Sequence, residues 1–245
     1  RYYTHKSTPT MQLPAFMLTS TLLLLTLIVP IKGHGYMASP RSRQLVAAED
    51  GAWSGGDNLP EKENCPSCAN IKNANGYCGK VQTRDYDNPK KGNGQPLPPS
   101  AQAIYTEGQY VDMEFVFTAN HNGHHITYAC PDFHNPSESC FQQWELEFME
   151  DLSMEAYGAS HKAPKDANYK SRAYVDPGAS QTKMRFKLPE GLHGDASNDY
   201  LVLLQWHWVT GNSCRSPGYD DVDYPPGWEP ANTGPCPAQL SNTGI

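Results

Sequence analysis

Three segments of the chain alternate apolar and charged residues at strict period two, and that alternation limits the fold more than any other feature. Val111, Met113, Phe115 and Phe117 alternate with Asp112 and Glu114; Trp144, Leu146 and Phe148 with Glu145 and Glu147; Met184, Phe186 and Leu188 with Arg185 and Lys187. Side chains two apart share one face of a strand but fall on opposite sides of a helix. Each segment therefore predicts a strand with one wet and one buried face, Glu145 and Glu147 on the wet one. Ile126 to Cys130 predicts a fourth strand, and Tyr200 to Val209, YLVLLQWHWV, reads as a strand buried on both faces. Long Gly- and Pro-rich connections between antiparallel strands make an all-β sandwich the expected fold. The 14 Tyr, 5 Trp and 7 Phe exclude a disordered chain.

Residues 11–33, MQLPAFMLTSTLLLLTLIVPIKG, hold no acid and one base, Lys32, around an apolar core from Ala15 to Val29, and end on the small Gly33. This is the composition of a secretory signal peptide cut after Gly33. Its apolar core is shorter than the roughly 20 residues that span a bilayer, so no membrane anchor is expected in the mature form. The expected organisation is residues 1–33 as upstream residues plus signal, then one extracellular domain over 34–245. Removing 1–33 takes away Arg1, Lys6 and Lys32 but no acid, leaving 16 bases against 26 acids, a formal charge of −10. With no run of Lys or Arg, the chain is not built to neutralise nucleic acid or an anionic membrane.

All seven cysteines, at 65, 68, 78, 130, 140, 214 and 236, follow the signal segment, and an exported chain meets an oxidising compartment. Seven is odd, so one lacks a partner. Zinc at Cys65 and Cys68 would need two further ligands, of which Cys78 supplies one, and disulfides are expected instead. Gly51 to Ser100, polar and turn-rich with three of the cysteines, reads as a disulfide-stapled surface insertion. Residues 215–245, broken by six prolines, show no strand pattern.

The residues able to carry chemistry are chiefly histidines. Cleavage after Gly33 makes His34 the first residue, which then offers a metal ion both its α-amine and ring Nδ1. A second imidazole completes a flat three-nitrogen set that suits copper(II) better than zinc, whose preference is tetrahedral. His121, His124 and His125 are the candidates for that second ring, and on a strand His121 and His125 would share a face. A zinc hydrolase on all three is the competing chemistry, but it would need a base and an open position, and no HExxH motif accompanies them. His207, inside the apolar strand, is expected to be a hydrogen-bonded core residue, and His134, His161 and His193 to be solvated.

HGYMASPRSR at 34–43, TANHNG at 118–123 and LQWHWVTGNSC at 204–214 together resemble the lytic polysaccharide monooxygenases of the chitin-binding type-4 superfamily. The likeness is to the oomycete pectin-active family and to the related insect and oomycete family active on cellulose and chitin, and it covers most of residues 34–214. It implies an immunoglobulin-like β-sandwich carrying a copper "histidine brace". His34 and His121, the histidine directly after Ala-Asn, would be its metal-binding and catalytic pair. It further implies one copper ion, an external electron donor, and hydrogen peroxide or dioxygen as co-substrate. The expected activity is oxidative cleavage of a wall polysaccharide by a secreted monomer. Family members carry an axial Tyr or Phe and a closing cysteine on a last strand that is not in view before Ile245. The resemblance thus leads one to expect a chain cut short at its carboxyl end, with Tyr219 or Tyr224 as axial alternatives.

Tyr36, Arg41 and Arg43 lie within sequence reach of the first histidine. The planar fork of Arg41 suits a galacturonate carboxylate, which together with the resemblance puts homogalacturonan first and chitin or cellulose second. Arg43 serves equally well as an anchor for its loop, and Gln205 is either a donor near the oxygen site or a plain strand residue. A non-catalytic carbohydrate-binding or structural wall protein is the alternative function class.

Overall fold

The computed structural model describes residues 34–50, 77–81, 84–88, 99–212, 214–231 and 234–236. Residues 1–33, where upstream residues plus a signal peptide are expected, Cys65, Cys68 and most of the 51–100 insertion lie outside the described residues. In chain order the elements are β1 (His34–Ser39), α1 (Arg43–Asp50), β2 (Lys80–Val81), β3 (Arg84–Asp85), β4 (Tyr110–Ala119), β5 (His124–Cys130), α2 (Glu138–Gln142), β6 (Glu147–Asp151), α3 (Ser153–Tyr157), β7 (Ala173–Tyr174), β8 (Gln181–Lys187) and β9 (Leu203–Val209). One sheet runs β1-β4-β8-β6 and faces a second, β7-β5-β9, with every pairing antiparallel. This is the expected β-sandwich. Among the described residues no helix is long and apolar enough to cross a membrane.

The first sheet is built as the alternation predicts. Val111, Met113, Phe115 and Phe117 of β4 and Met184 and Phe186 of β8 are buried. On the outer face Asp112 sits opposite Arg185 and Glu114 opposite Lys183, each pair in ionic contact. The second sheet answers with aromatic rings. Phe115 packs on His125 (4.4 Å between centroids) and Trp206 (5.5 Å), and Phe117 on Trp208 (4.8 Å). Burying each such ring contributes about 1.5–3 kcal/mol, which makes this inter-sheet layer the main source of cohesion.

Three sequence expectations need correction. The Trp144–Phe148 segment is not one strand: Trp144 and Leu146 bond to β5, and the chain then crosses to pair with β8 as β6. The strand buried on both faces is β5, every residue of which is buried, whereas β9 is half-buried through its middle. β5 is central and covered on its outer side by Phe141 of α2 and by the tail 214–231, while β9 is an edge. Tyr200 does not belong to β9: Asp199 (φ 53°) and Tyr200 (φ 57°) adopt left-handed backbone that no strand contains, and Tyr200 is 74% exposed.

α1 was not foreseen, because its buried Leu45, Val46 and Ala47 are consecutive rather than periodic; Ser42 caps it through the Leu45 N–H. Disulfides join Cys130 to Cys140 and Cys214 to Cys236, and Cys78 forms none. The tail is irregular, as expected, yet Tyr219 and Trp228 are buried.

Candidate metal centre

The pairing of β1 with β4 brings two of the recognised motifs to one end of the sandwich. His34 opens β1 opposite Ala119, and His121 follows two residues later. A register shift between His34 and Gly35 marks a bulge, a device that re-aims side chains at a sheet end. Gly35 explains the His-Gly pair: a Cβ there would stand 2.7 Å from the Val116 carbonyl and 2.9 Å from Trp206 Cη2, so only glycine lets β1 lie down on the tryptophan.

Between β4 and β5 the chain turns through Asn120, His121, Asn122 and Gly123. The Asn120 side chain donates to the Asp176 and Ala179 carbonyls (2.8 and 2.7 Å) and accepts from the Asn122 N–H (2.8 Å). The Gly211 N–H donates to the His121 carbonyl (2.9 Å), and Trp208 Nε1 donates to the Asn122 carbonyl (2.8 Å). The turn is thus tied to the 176–179 loop and to the end of β9.

Within that immobilised backbone, His121 Nε2 is buried with no hydrogen-bond partner among the described residues. A buried imidazole nitrogen left without a partner costs free energy, and a metal ion is one of the few groups able to repay it. Two imidazoles, joined by the amine that cleavage after Gly33 would free, make a donor set that suits copper, so these residues fit that metal.

The other candidate rings go elsewhere. His124 lies on the outer face of β5, its Nδ1 2.5 Å from the Tyr219 hydroxyl; burial, then the charge of Arg172, holds it well below its ordinary pKa. His125 lies on the inner face against Phe115 and Phe186, and burial pulls it down to about 3. The expected shared face of His121 and His125 fails because Asn122 (φ 43°) and Gly123 (φ 85°) turn the chain before β5 starts. Among the described residues no three His, Cys, Asp or Glu side chains form a metal-sized cluster, so the zinc-hydrolase reading has no site.

His207 stacks beside Tyr128, and burial pulls it down to about 4. His134, His161 and His193 are exposed, as expected. Tyr219 is occupied by His124, and Tyr224 packs on Tyr174 and Tyr219 with its hydroxyl buried and unpartnered. No described contact joins either ring to His34 or His121.

Arg41 is bonded to Glu49, Asp50 and Gln102 through Nε and both terminal nitrogens, which leaves its fork unavailable to a carboxylate ligand. Arg43 reaches the Tyr86 and Asp87 carbonyls and so anchors its loop. Gln205 Nε2 donates to the Tyr77 carbonyl, a structural tie. Sequence reasoning missed Asn120, Asn122, Trp208 and Gly211. The signal for them was present, since all four lie inside the quoted motifs, but nothing in one sequence shows that those motifs touch.

Comparison with known proteins identifies the family of the chain. Residues 34–216 match the family described as lytic polysaccharide mono-oxygenase, cellulose-degrading, and the match opens on His34. Among solved structures the chain is similar to the lytic polysaccharide monooxygenase AA15 from Thermobia domestica in the Cu(I) state. That likeness has 20% identity and a TM-score of 0.41 over 73% of this chain and 84% of that one, too distant to assign any residue. No curated protein matches the chain. Because the family match runs from the first strand of the sandwich through the last and into the tail, the chain belongs to the lytic polysaccharide monooxygenases, copper-dependent oxidoreductases that act on polysaccharides with an external reductant and dioxygen or hydrogen peroxide.

Proposed function

We propose that the secreted protein begins at His34 and that His34 and His121 hold its copper ion, the first through its α-amine and ring, the second through Nε2. The observation that carries this reading is the place of His121, two residues beyond the strand partner of His34 with its Nε2 buried and unpartnered. The nitrogens of His125 are buried and unpartnered too, but that ring is enclosed by Phe115, Phe186 and Trp206. Copper held there supplies the one-electron chemistry with dioxygen or peroxide that oxidises a glycosidic C–H bond. The protein's own part is to keep the two rings at the sheet end in fixed orientation. The bonds that pin the turn on either side of His121 serve that purpose.

For the substrate, our reading keeps de-esterified homogalacturonan ahead of chitin and cellulose. It does so on the motif resemblance alone, because the pairing of Arg41 with Glu49 and Asp50 withdraws the argument from its guanidinium. The formal charge of −10 after removal of 1–33 means that a polyanion is held by local contacts, not by the overall field.

Amino-terminal sequencing of the secreted protein tests the first step, and retained residues before His34 would remove the amine ligand. Copper(II) loading should then give an axial electron paramagnetic resonance spectrum rich in nitrogen couplings that His121→Ala abolishes. An unchanged spectrum in that variant assigns the ligand elsewhere. With ascorbate and peroxide, mass spectrometry should find oligosaccharides heavier by one oxygen or lighter by two hydrogens than hydrolytic products, and only when reductant is present. Tight binding without such products would sink the catalytic reading of this site.

A further inference from the structure

Asn122 is a non-glycine residue with φ 43°; hydrogen bonds to its N–H, carbonyl and Nδ2 fasten it there, while its Oδ1 is buried without a hydrogen-bond partner against Gly211. Its N–H donates to Asn120 Oδ1 (2.8 Å), and its carbonyl accepts from Trp208 Nε1 (2.8 Å). Its Nδ2 reaches the Trp228 and Glu229 carbonyls of the tail, both at 3.4 Å. Its Oδ1 lies where a Cβ on Gly211 would stand, only 1.7 Å from it. Close by, a Cβ on Gly123 would fall 2.1 Å from the Val209 carbonyl and 2.6 Å from the Gly211 nitrogen. The Asn122-Gly123 and Thr210-Gly211 segments therefore interlock backbone against backbone, with no room for a side chain at either glycine. Two motifs more than 80 residues apart in sequence, NHNG and VTG, are halves of one junction.

Set into this junction, His121 has its carbonyl held by Gly211 and both neighbouring residues fastened, while its ring nitrogen Nε2 has no partner. A rigid backbone under an unsatisfied donor atom is how a preorganised metal ligand is built. We propose that Asn122 is the positioning residue for His121, its left-handed turn and its clamp to the tail setting the direction from which the ring approaches the metal. The proposal rests on the reading of His121 as a ligand. Asparagine tolerates left-handed backbone better than most residues; alanine there favours negative φ, which would rotate the peptide after His121 and release the Gly211 bond.

The test uses the protein beginning at His34 and compares Asn122→Ala with Asn122→Gly, which keeps the left-handed turn but loses the clamp. Copper(II) is titrated by competition and followed by paramagnetic resonance, while nuclear magnetic resonance follows the His121 ring in the metal-free protein. Thermal unfolding is recorded for each variant. Asn122→Ala should weaken copper binding by about tenfold or more, alter the hyperfine pattern, and shift or double the His121 ring signals. Asn122→Gly should recover part or all of each. A spectrum, affinity and ring signal in Asn122→Ala identical to the parent, or an Asn122→Gly as impaired as the alanine variant, overturns the proposal even where both variants melt early. If Asn122→Ala does not fold, Asn122→Ser replaces it under the same criteria. A parent whose copper spectrum ignores His121→Ala refutes the ligand reading itself, and that result is visible before any Asn122 variant is made.

Discussion

The two sheets solve opposite problems. The β1-β4-β8-β6 sheet has water on one side, so its charges stand outside in register, with Asp112 against Arg185 and Glu114 against Lys183, and its inner face is apolar. The β7-β5-β9 sheet has protein on both sides of its central strand, yet β5 carries two histidines, one threonine and one tyrosine among its first five buried positions. Tyr174, Asp166 and Arg172 collect on its outer side beneath the tail, which adds Tyr219 to them. A sheet that meets water can leave its polar groups there; a sheet that is covered must hold them neutral or paired. The first sheet therefore depends on hydrophobic area, and the second on a set of bonds that are costly to break singly.

Substitutions can break this contrast. The largest effect is expected for Phe115→Ala, which empties the contact with His125, Trp206 and Phe186 and should cost about 3–5 kcal/mol in urea unfolding. A loss below about 1 kcal/mol would mean that the inter-sheet layer is not the core. Next comes Tyr219→Phe, which leaves His124 Nδ1 buried without its hydroxyl partner, at a cost of about 1–3 kcal/mol; a neutral result would make the tail's cover over β5 dispensable.

Acid sharpens the contrast further. A histidine held neutral by burial is protonated first in the unfolded chain, near pH 6.5, so stability falls as the pH drops from there toward the folded value. For His125 that window runs down to about 3. Between pH 7 and 5, His125→Phe should remove about 1–2 kcal/mol of the loss seen in the parent, measured as the difference between urea midpoints. An acid limb unaffected by the substitution would show that His125 is not held neutral. The smallest effect is expected for Arg185→Ala on the wet face, at most about 1 kcal/mol and shrinking in salt; a larger one would mean that the outer ion pairs matter as the inner bonds do.

The same contrast decides what could be read from the chain. The alternation in β4 and β8 identifies strands and faces because water does the sorting, and Phe115 and Phe186 lie where period two puts them. β5 is expected as a strand over Ile126 to Cys130, but not as the one buried on both faces, because that burial depends on a tail some 90 residues downstream that has no periodicity of its own. Tyr200 was misread as strand because its apolar neighbours concealed a left-handed turn. At the candidate site, the sequence pointed to His34 and His121 through motif and position. The turn that separates His121 from His125 depends on Asn122 and Gly123, whose backbone conformation no spacing rule reports. Arg41 was a reasonable candidate for carboxylate recognition until Glu49 and Asp50, one helix later, were found beside it.

The disulfide between Cys214 and Cys236 brackets the segment that carries Tyr219 to His124 and the Trp228 and Glu229 carbonyls to Asn122. A family that draws electrons from outside is commonly assayed with small reductants, and these differ in kind. Ascorbate delivers electrons without attacking sulfur, whereas a thiol reductant also exchanges with disulfides. Opening Cys214–Cys236 would free the tail from one end while the turnover it is meant to drive is being measured. If a thiol opens Cys214–Cys236, rates with ascorbate and with thiols belong to two different molecules, and their ratio over time measures how long the staple lasts.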